Sequence, residues 1–298
     1  MSRPPAAGRE RCATRAQARG DQMLGTAFPA ARLLLVEQPH PWGFAGLRAS
    51  RFDAATALAL EARGRAEGVR VQAIRRPGRS SDRAQRRWAI IDTRAEEPVL
   101  RWGKFTDDAD LLELPLDGSL GEPDPLAHYF VCTHGQHDPC CAAHGRPLTA
   151  ALAAVRPGQT WQVSHLGGCR FAPSVLVLPL GLVYGRVPPS AAADLVAAAE
   201  AGEVVTALLR GRVGRPPVAQ AALGFAHEQL ALPRCRDLSL ESTTPVDRGD
   251  VVVRISSPHG AFDITVHRQR VDAPGLTCAS PGPSWFVAHH PVAIESAG

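Results

Sequence analysis

"HYFVCTHGQHDPCCAAHGRPLTAALAAV", residues 128–155, decides how the chain is read. Its apolar opening predicts a strand whose end delivers Cys132, and its Ala- and Leu-rich close predicts a helix carrying Leu148, Leu152 and Val155. Gly145 and Pro147 make the first turn of that helix irregular. With "VSHLGGCRFAP", residues 163–173, this stretch holds four of the seven cysteines and five of the eleven histidines. Soft ligands gathered on a loop between a strand and a helix ask for a chemical reason.

Downstream, "TWQVSHL" reads as a strand, and "SVLVLP" and "LVYGRV" flank the residues "LG" as a hairpin. "PPSAAADLVAAAEAG" then reads as a helix with Ser190 as its N-cap. The order β-α-β-β-β-α is that of a thioredoxin-like sheet flanked by helices. Upstream, "RLLLVEQP" is a buried strand, residues 51–68 a helix between the cap Asp53 and the stop Gly68, and "VRVQAIRRP", "RRWAIIDT" and "PVLRWGKF" three more strands. The expected organisation is a mobile tail (1–27), an N-terminal α/β domain (28–115), a thioredoxin-like ferredoxin domain (125–212), and a C-terminal helix and β-hairpin extension (213–298). Residues 116–125, rich in Gly, Pro and acids, read as a linker, and no internal repeat of fixed period is visible.

Hydrophobic residues at 45% and charged residues at 21% describe a chain able to build its own core. Lys104 is the single lysine among 33 basic residues and the net charge is only +4, so the arginines read as a general bias and no nucleic-acid partner is expected. The run "RRPGRSSDRAQRR", residues 75–87, reads as a solvated loop. The first 27 residues hold no long apolar run, which predicts neither a secretory signal nor a membrane span and leaves the cytoplasm as the expected location. In a reducing compartment an odd number of cysteines with a tight cluster points to metal or redox chemistry rather than disulfides. Cys12, Cys235 and Cys278, far from the cluster in sequence, read as ordinary free thiols.

A soft metal centre needs about four ligands from separate segments. Cys132 and Cys141 are separated by eight residues, His165 and Cys169 by three, and neither pair has the short spacing of a zinc finger. The long first loop suits a two-iron cluster. Gly167 and Gly168 let the backbone approach such a group closely, and a helix starting near Ala142 favours the Cys141 thiolate. Cys140 competes with Cys141 for one ligand position, while His134 and His137 read as solvated or capping residues.

"CTHGQHDPCCA", "GRPLTAAL", "SHLGG", "RFAP" and "VYGR", with "LLLVEQPHPWG", "IRRPGR" and "PPVAQAA", together resemble the sucrase/ferredoxin-like family over most of residues 28–232. That resemblance implies a thioredoxin-like domain with a [2Fe–2S] cluster, held by two cysteines after the first strand and in many members by an H-x3-H pair. Thioredoxin-like ferredoxins proper use C-x3-C. Here the pair is His165 and Cys169, and the family's D-x-x-C pattern selects Cys141. The implied ligands are therefore Cys132, Cys141, His165 and Cys169.

The expected role is one-electron transfer, fed or drained by a separate reductase or acceptor protein, since no G-x-G-x-x-G follows a strand to bind NAD(P)H. Sugar cleavage is not expected, because no pair of carboxylates stands out, and no G-x-S-x-G elbow marks a serine hydrolase. A thiol redox enzyme using Cys132 with Cys140 or Cys141, lacking the usual C-x-x-C, and a metal-stabilised binding module without catalysis are the alternatives.

Overall fold

The computed structural model describes residues 10–78, 84–95 and 97–297. Residues 79–83 of the arginine-rich run and residues 1–9 of the expected tail lie outside them.

A short helix, α1 (Cys12–Ala18), opens the described chain. The first unit follows as β1 (Arg32–Glu37), α2 (Ala54–Glu67), β2 (Val69–Arg75), β3 (Arg86–Asp92) and β4 (Leu100–Phe105). The unbroken apolar run of β1 has its physical counterpart in two cores: Leu33 and Leu35 pack on one side of the sheet, Leu34 and Val36 on the other. Asp53 caps α2 by accepting from the Thr56 N–H at 2.7 Å, and Gly68 ends it in the left-handed region at φ +70°.

The second unit comprises β5 (Glu122–Asp124), β6 (His128–Cys132), α3 (Pro139–Val155), β7 (Thr160–Val163), β8 (Val175–Leu178), β9 (Leu182–Tyr184), α4 (Ala192–Glu200) and β10 (Leu209–Arg212). It realises the thioredoxin-like order: β6 and β7 are parallel, joined through α3, β8 pairs antiparallel with β6, and β9 pairs antiparallel with β8. The first unit repeats this arrangement strand for strand, with β1 parallel to β2 through α2 and β3 and β4 antiparallel on the far side. The two units join where β2 and β7 pair antiparallel, Ile74 opposite Val163 and Arg75 opposite Gln162. One ten-stranded sheet results, in the order β10-β9-β8-β6-β7-β2-β1-β3-β4-β5. Because only the last residues of β2 and β7 overlap, the loop leaving β7 runs back along β2, the Ser164 N–H donating to the Ala73 carbonyl at 2.8 Å.

The extension contains α5 (Pro217–Gln229) and a four-stranded antiparallel meander of β11 (Ser239–Pro245), β12 (Val251–Ser257), β13 (Gly260–Asp272) and β14 (Trp285–Ser296). The expected hairpin is β12–β13, and it is widened by a strand on each side. Ala219, Ala222 and Ala226 of α5 let the helix sit close on Val253, Ile255, Ile264 and Val266.

Three expectations are corrected. The described part of the tail is ordered: Cys12 and Ala16 of α1 are fully buried, and Asp21 just beyond it is 3.3 Å from the Arg170 guanidinium. These are contacts to remote segments, which local periodicity does not encode. The linker is not only a connection, since β5 adds an edge strand beside β4, where Pro123 is tolerated. Ser190 does not cap α4, because a short 3-10 turn over Pro189–Ala191 moves the helix start to Ala192. Among the described residues no helix is long and apolar enough to cross a membrane.

Candidate metal centre

Cys132 is the last residue of β6, and the chain then turns through residues 133–138 into α3. Asp138 fixes the start of that helix, accepting from the Cys140 N–H at 2.9 Å, with Pro139 in the first position where its missing donor costs nothing. Successive helical residues point about 100° apart. Cys141 therefore turns towards Cys132, while Cys140 turns to the other side of the helix and meets Cys12 Sγ at 3.6 Å. Gly145 lets α3 press onto the strand end, since a Cβ there would come within 2.2 Å of the Cys132 carbonyl oxygen.

The connection from β7 to β8 supplies His165 and Cys169, whose Nδ1 and Sγ lie 3.5 Å apart. Gly167 and Gly168 both occupy the left-handed region, at φ +84° and +65°. The space beside Gly168 is taken by Arg210, whose guanidinium nitrogen would be 2.3 Å from a Cβ. The close approach that this double glycine permits is thus by an arginine. Replacing Gly168 by alanine should destabilise the protein by about 1–3 kcal/mol through strained φ and overpacking. Chemical denaturation checks this, with Gly167→Ala, where nothing lies within 4 Å of the added Cβ, as the strain-only control.

The four expected ligands come together. Cys132, Cys141 and His165 have donor atoms within 4.8 Å of one another, and so have His137, His165 and Cys169. Cys132, Cys141 and Cys169 are 3%, 3% and 2% exposed, so solvent is almost excluded from the sulfurs. The Cys141 thiol donates to both Cys132 and Cys169, which pushes its own pKa up. That hydrogen bond is the main cause drawing the Cys132 thiol down to about 7, helped by the backbone N–H groups of Leu166 and His134 against the opposing effect of burial. Burial first, and then the neighbouring His137, hold His165 at about 3, so its imidazole is neutral and free to bind a metal at neutral pH.

The first unit closes over this site. Gln72 Nε2 and an Arg70 guanidinium nitrogen donate to the His165 carbonyl oxygen at 2.7 and 2.8 Å. His134 donates from Nε2 to the Gly43 carbonyl at 2.8 Å. His137, read from sequence as solvated or capping, instead lies against the His165 ring at 3.7 Å between centroids, and Phe44 stacks on it at 4.9 Å.

Arg210 escaped the sequence reading. It is 1% exposed and donates to the carbonyls of Gly167 at 3.0 Å and Thr26 at 2.6 Å, and to Ser174 Oγ at 3.3 Å. Burial lowers its pKa to about 10, with the charge of Arg170 adding to the effect and the thiols of Cys132, Cys169 and Cys141 opposing it. It therefore stays cationic beside the sulfurs. Arg170, the arginine adjacent to Cys169, pairs instead with Asp21 and sits against the rings of Phe171 and Phe286. Cys12 and Cys278 are not isolated thiols either: they converge with Asp138 and Cys140 on the far side of α3.

A solved structure similar to part of this chain is a thioredoxin-like [2Fe–2S] ferredoxin from Aquifex aeolicus, 26% identical over 32% of this chain and 97% of that one, with a TM-score of 0.26. Two cysteine-to-serine variants of the Aquifex aeolicus protein are 25% and 24% identical over 29% of this chain and 100% of theirs, with TM-scores of 0.25 and 0.26. No curated protein matches the chain. The pattern that defines one family matches residues 23–211, a span that includes both cysteine-bearing loops, the sheet of both units and Arg210. The chain belongs to the sucrase/ferredoxin-like family.

Proposed function

We propose that this protein is a one-electron carrier whose [2Fe–2S] cluster is held by Cys132, Cys141, His165 and Cys169. The observation that carries the reading is the meeting of three buried sulfurs and one neutral imidazole from two loops, with Cys141 hydrogen-bonded to the thiols of both. Three thiolates and an imidazole are a donor set suited to iron. When bound, such a cluster supplies a reversible one-electron couple.

The protein's own groups set the conditions for it. The backbone N–H groups of Leu166 and His134 point at the Cys132 sulfur, and Arg210 adds a buried positive charge. Phe44, 64% exposed, touches His137, which touches His165. This stack of rings leads from solvent to a ligand and is the place where a separate reductase or acceptor protein would meet the chain. All seven cysteines are unpaired, which suits a reducing compartment such as the cytoplasm. A thiol-exchange enzyme is disfavoured by the burial of Cys132, since reactive cysteines are partly exposed.

A redox titration of anaerobically purified protein, followed by visible absorption and electron paramagnetic resonance, tests the proposal. One reversible transition with a one-electron slope and a paramagnetic reduced state is expected. A colourless protein with only two-electron thiol chemistry would overturn it.

A further inference from the structure

Outside the Cys132 centre, four more metal-binding side chains meet. Cys12 comes from α1, Asp138 and Cys140 from the start of α3, and Cys278 from the connection between β13 and β14. Cys140 Sγ lies 3.6 Å from Cys12 Sγ and 3.4 Å from Cys278 Sγ. Cys12 Sγ is 3.8 and 3.5 Å from the two carboxylate oxygens of Asp138. All four donors lie within 4.8 Å of one another.

These spacings suit a single small ion. Tetrahedral zinc with Zn–S bonds of about 2.3 Å sets its ligand atoms about 3.8 Å apart, whereas a two-iron cluster would hold its two ligand pairs farther apart. Charge points the same way. Asp138 is 0% exposed and accepts the N–H groups of Cys140 and Cys278 at 2.9 and 2.8 Å. Among the described residues no arginine, lysine or histidine forms an ion pair with it. A buried carboxylate without a cation is costly, and a divalent ion beside it would supply the missing charge. Cys12 and Cys140 are also fully buried and Cys278 partly so, which leaves an entry from the β13–β14 side.

We infer that Cys12, Asp138, Cys140 and Cys278 form a closed tetrahedral site for one zinc ion, distinct from the Cys132 centre. A closed four-ligand site is structural in character. It would tie α1 and the β13–β14 connection, 128 and 138 residues from Cys140 in sequence, to the start of α3.

The test is metal analysis of the full chain, purified anaerobically with zinc present, together with zinc-edge X-ray absorption. Expected is one zinc per chain with three sulfur neighbours at about 2.3 Å and one oxygen at about 2.0 Å. Cys278→Ser, at the least buried ligand, should reduce zinc to background without changing iron content. Asp138→Asn keeps the size of the helix cap and should make the zinc much easier to remove with a chelator. A protein that takes up no zinc, or a Cys140–Cys278 disulfide found by peptide mapping, would overturn the assignment. So would zinc that survives Cys278→Ser but leaves with Cys141→Ser, because it would then belong to the other centre.

Discussion

Cys141→Ser is expected to abolish iron binding by this protein and Cys140→Ser to leave it intact, although the two residues are neighbours on α3. The reason is rotation about the helix. A turn of about 100° between successive residues sends the two sulfurs to opposite sides: Cys141 to Cys132 and Cys169, Cys140 to Cys12 and Cys278. Serine keeps the size of either side chain but removes a thiolate ligand. Iron and acid-labile sulfide, measured on each purified variant, should fall at least about tenfold for Cys141→Ser, the scale of a lost iron–sulfur ligand. They should stay at the parent level for Cys140→Ser, whose loss is in zinc. The reverse pattern would mean that α3 rotates or shifts register when iron binds.

Arg210→Met has the second large effect, on two separable quantities. The side chain holds a positive charge beside Cys132, Cys169 and Cys141. A positive charge stabilises the more negative, reduced state, so its removal should lower the midpoint potential. At an effective dielectric of about 20, the loss is on the order of 1–2 kcal/mol, or about 40–90 mV for one electron. The same change strips the donors from the Gly167 and Thr26 carbonyls and Ser174 Oγ. That should cost about 3 kcal/mol of stability. Arg210→Lys separates the contributions: the charge remains and the potential recovers, while the fork of hydrogen bonds is lost and the stability does not. An unchanged potential in Arg210→Met would show that the arginine acts only as a brace.

The convergence of the two cysteine-bearing loops was legible because their sequence signals are local. Cys132 closes a strand, Asp138-Pro139 starts a helix, and His165 and Cys169 sit within one short connection, so motif and spacing carried the information. Arg210 was hidden because nothing in "LLRGRVGR" marks one arginine as buried; it is identified only by its contacts with Gly167, Ser174 and Thr26. Cys12 and Cys278 were hidden for the same reason, being joined to Cys140 across 128 and 138 residues. The repeated topology was masked by unequal loops and different chemistry. The connection after β1 carries Gln38, His40 and Trp42 where that after β6 carries the cysteine-bearing turn, so two units with one strand order share no visible sequence period. The helical signal of α1 was weak because Cys12, Ala13 and Ala16 are small residues whose burial depends on remote partners.

In the proposed function, two loops, one after β6 and one after β7, hold iron and inorganic sulfide between them. Quantifying both elements in the full-length protein, isolated without oxygen and reconstituted with ferrous iron and sulfide, tests it most directly. About two irons and two sulfides per chain are expected, lost together in Cys132→Ser. Iron without sulfide, or neither element bound by a folded protein, would contradict it.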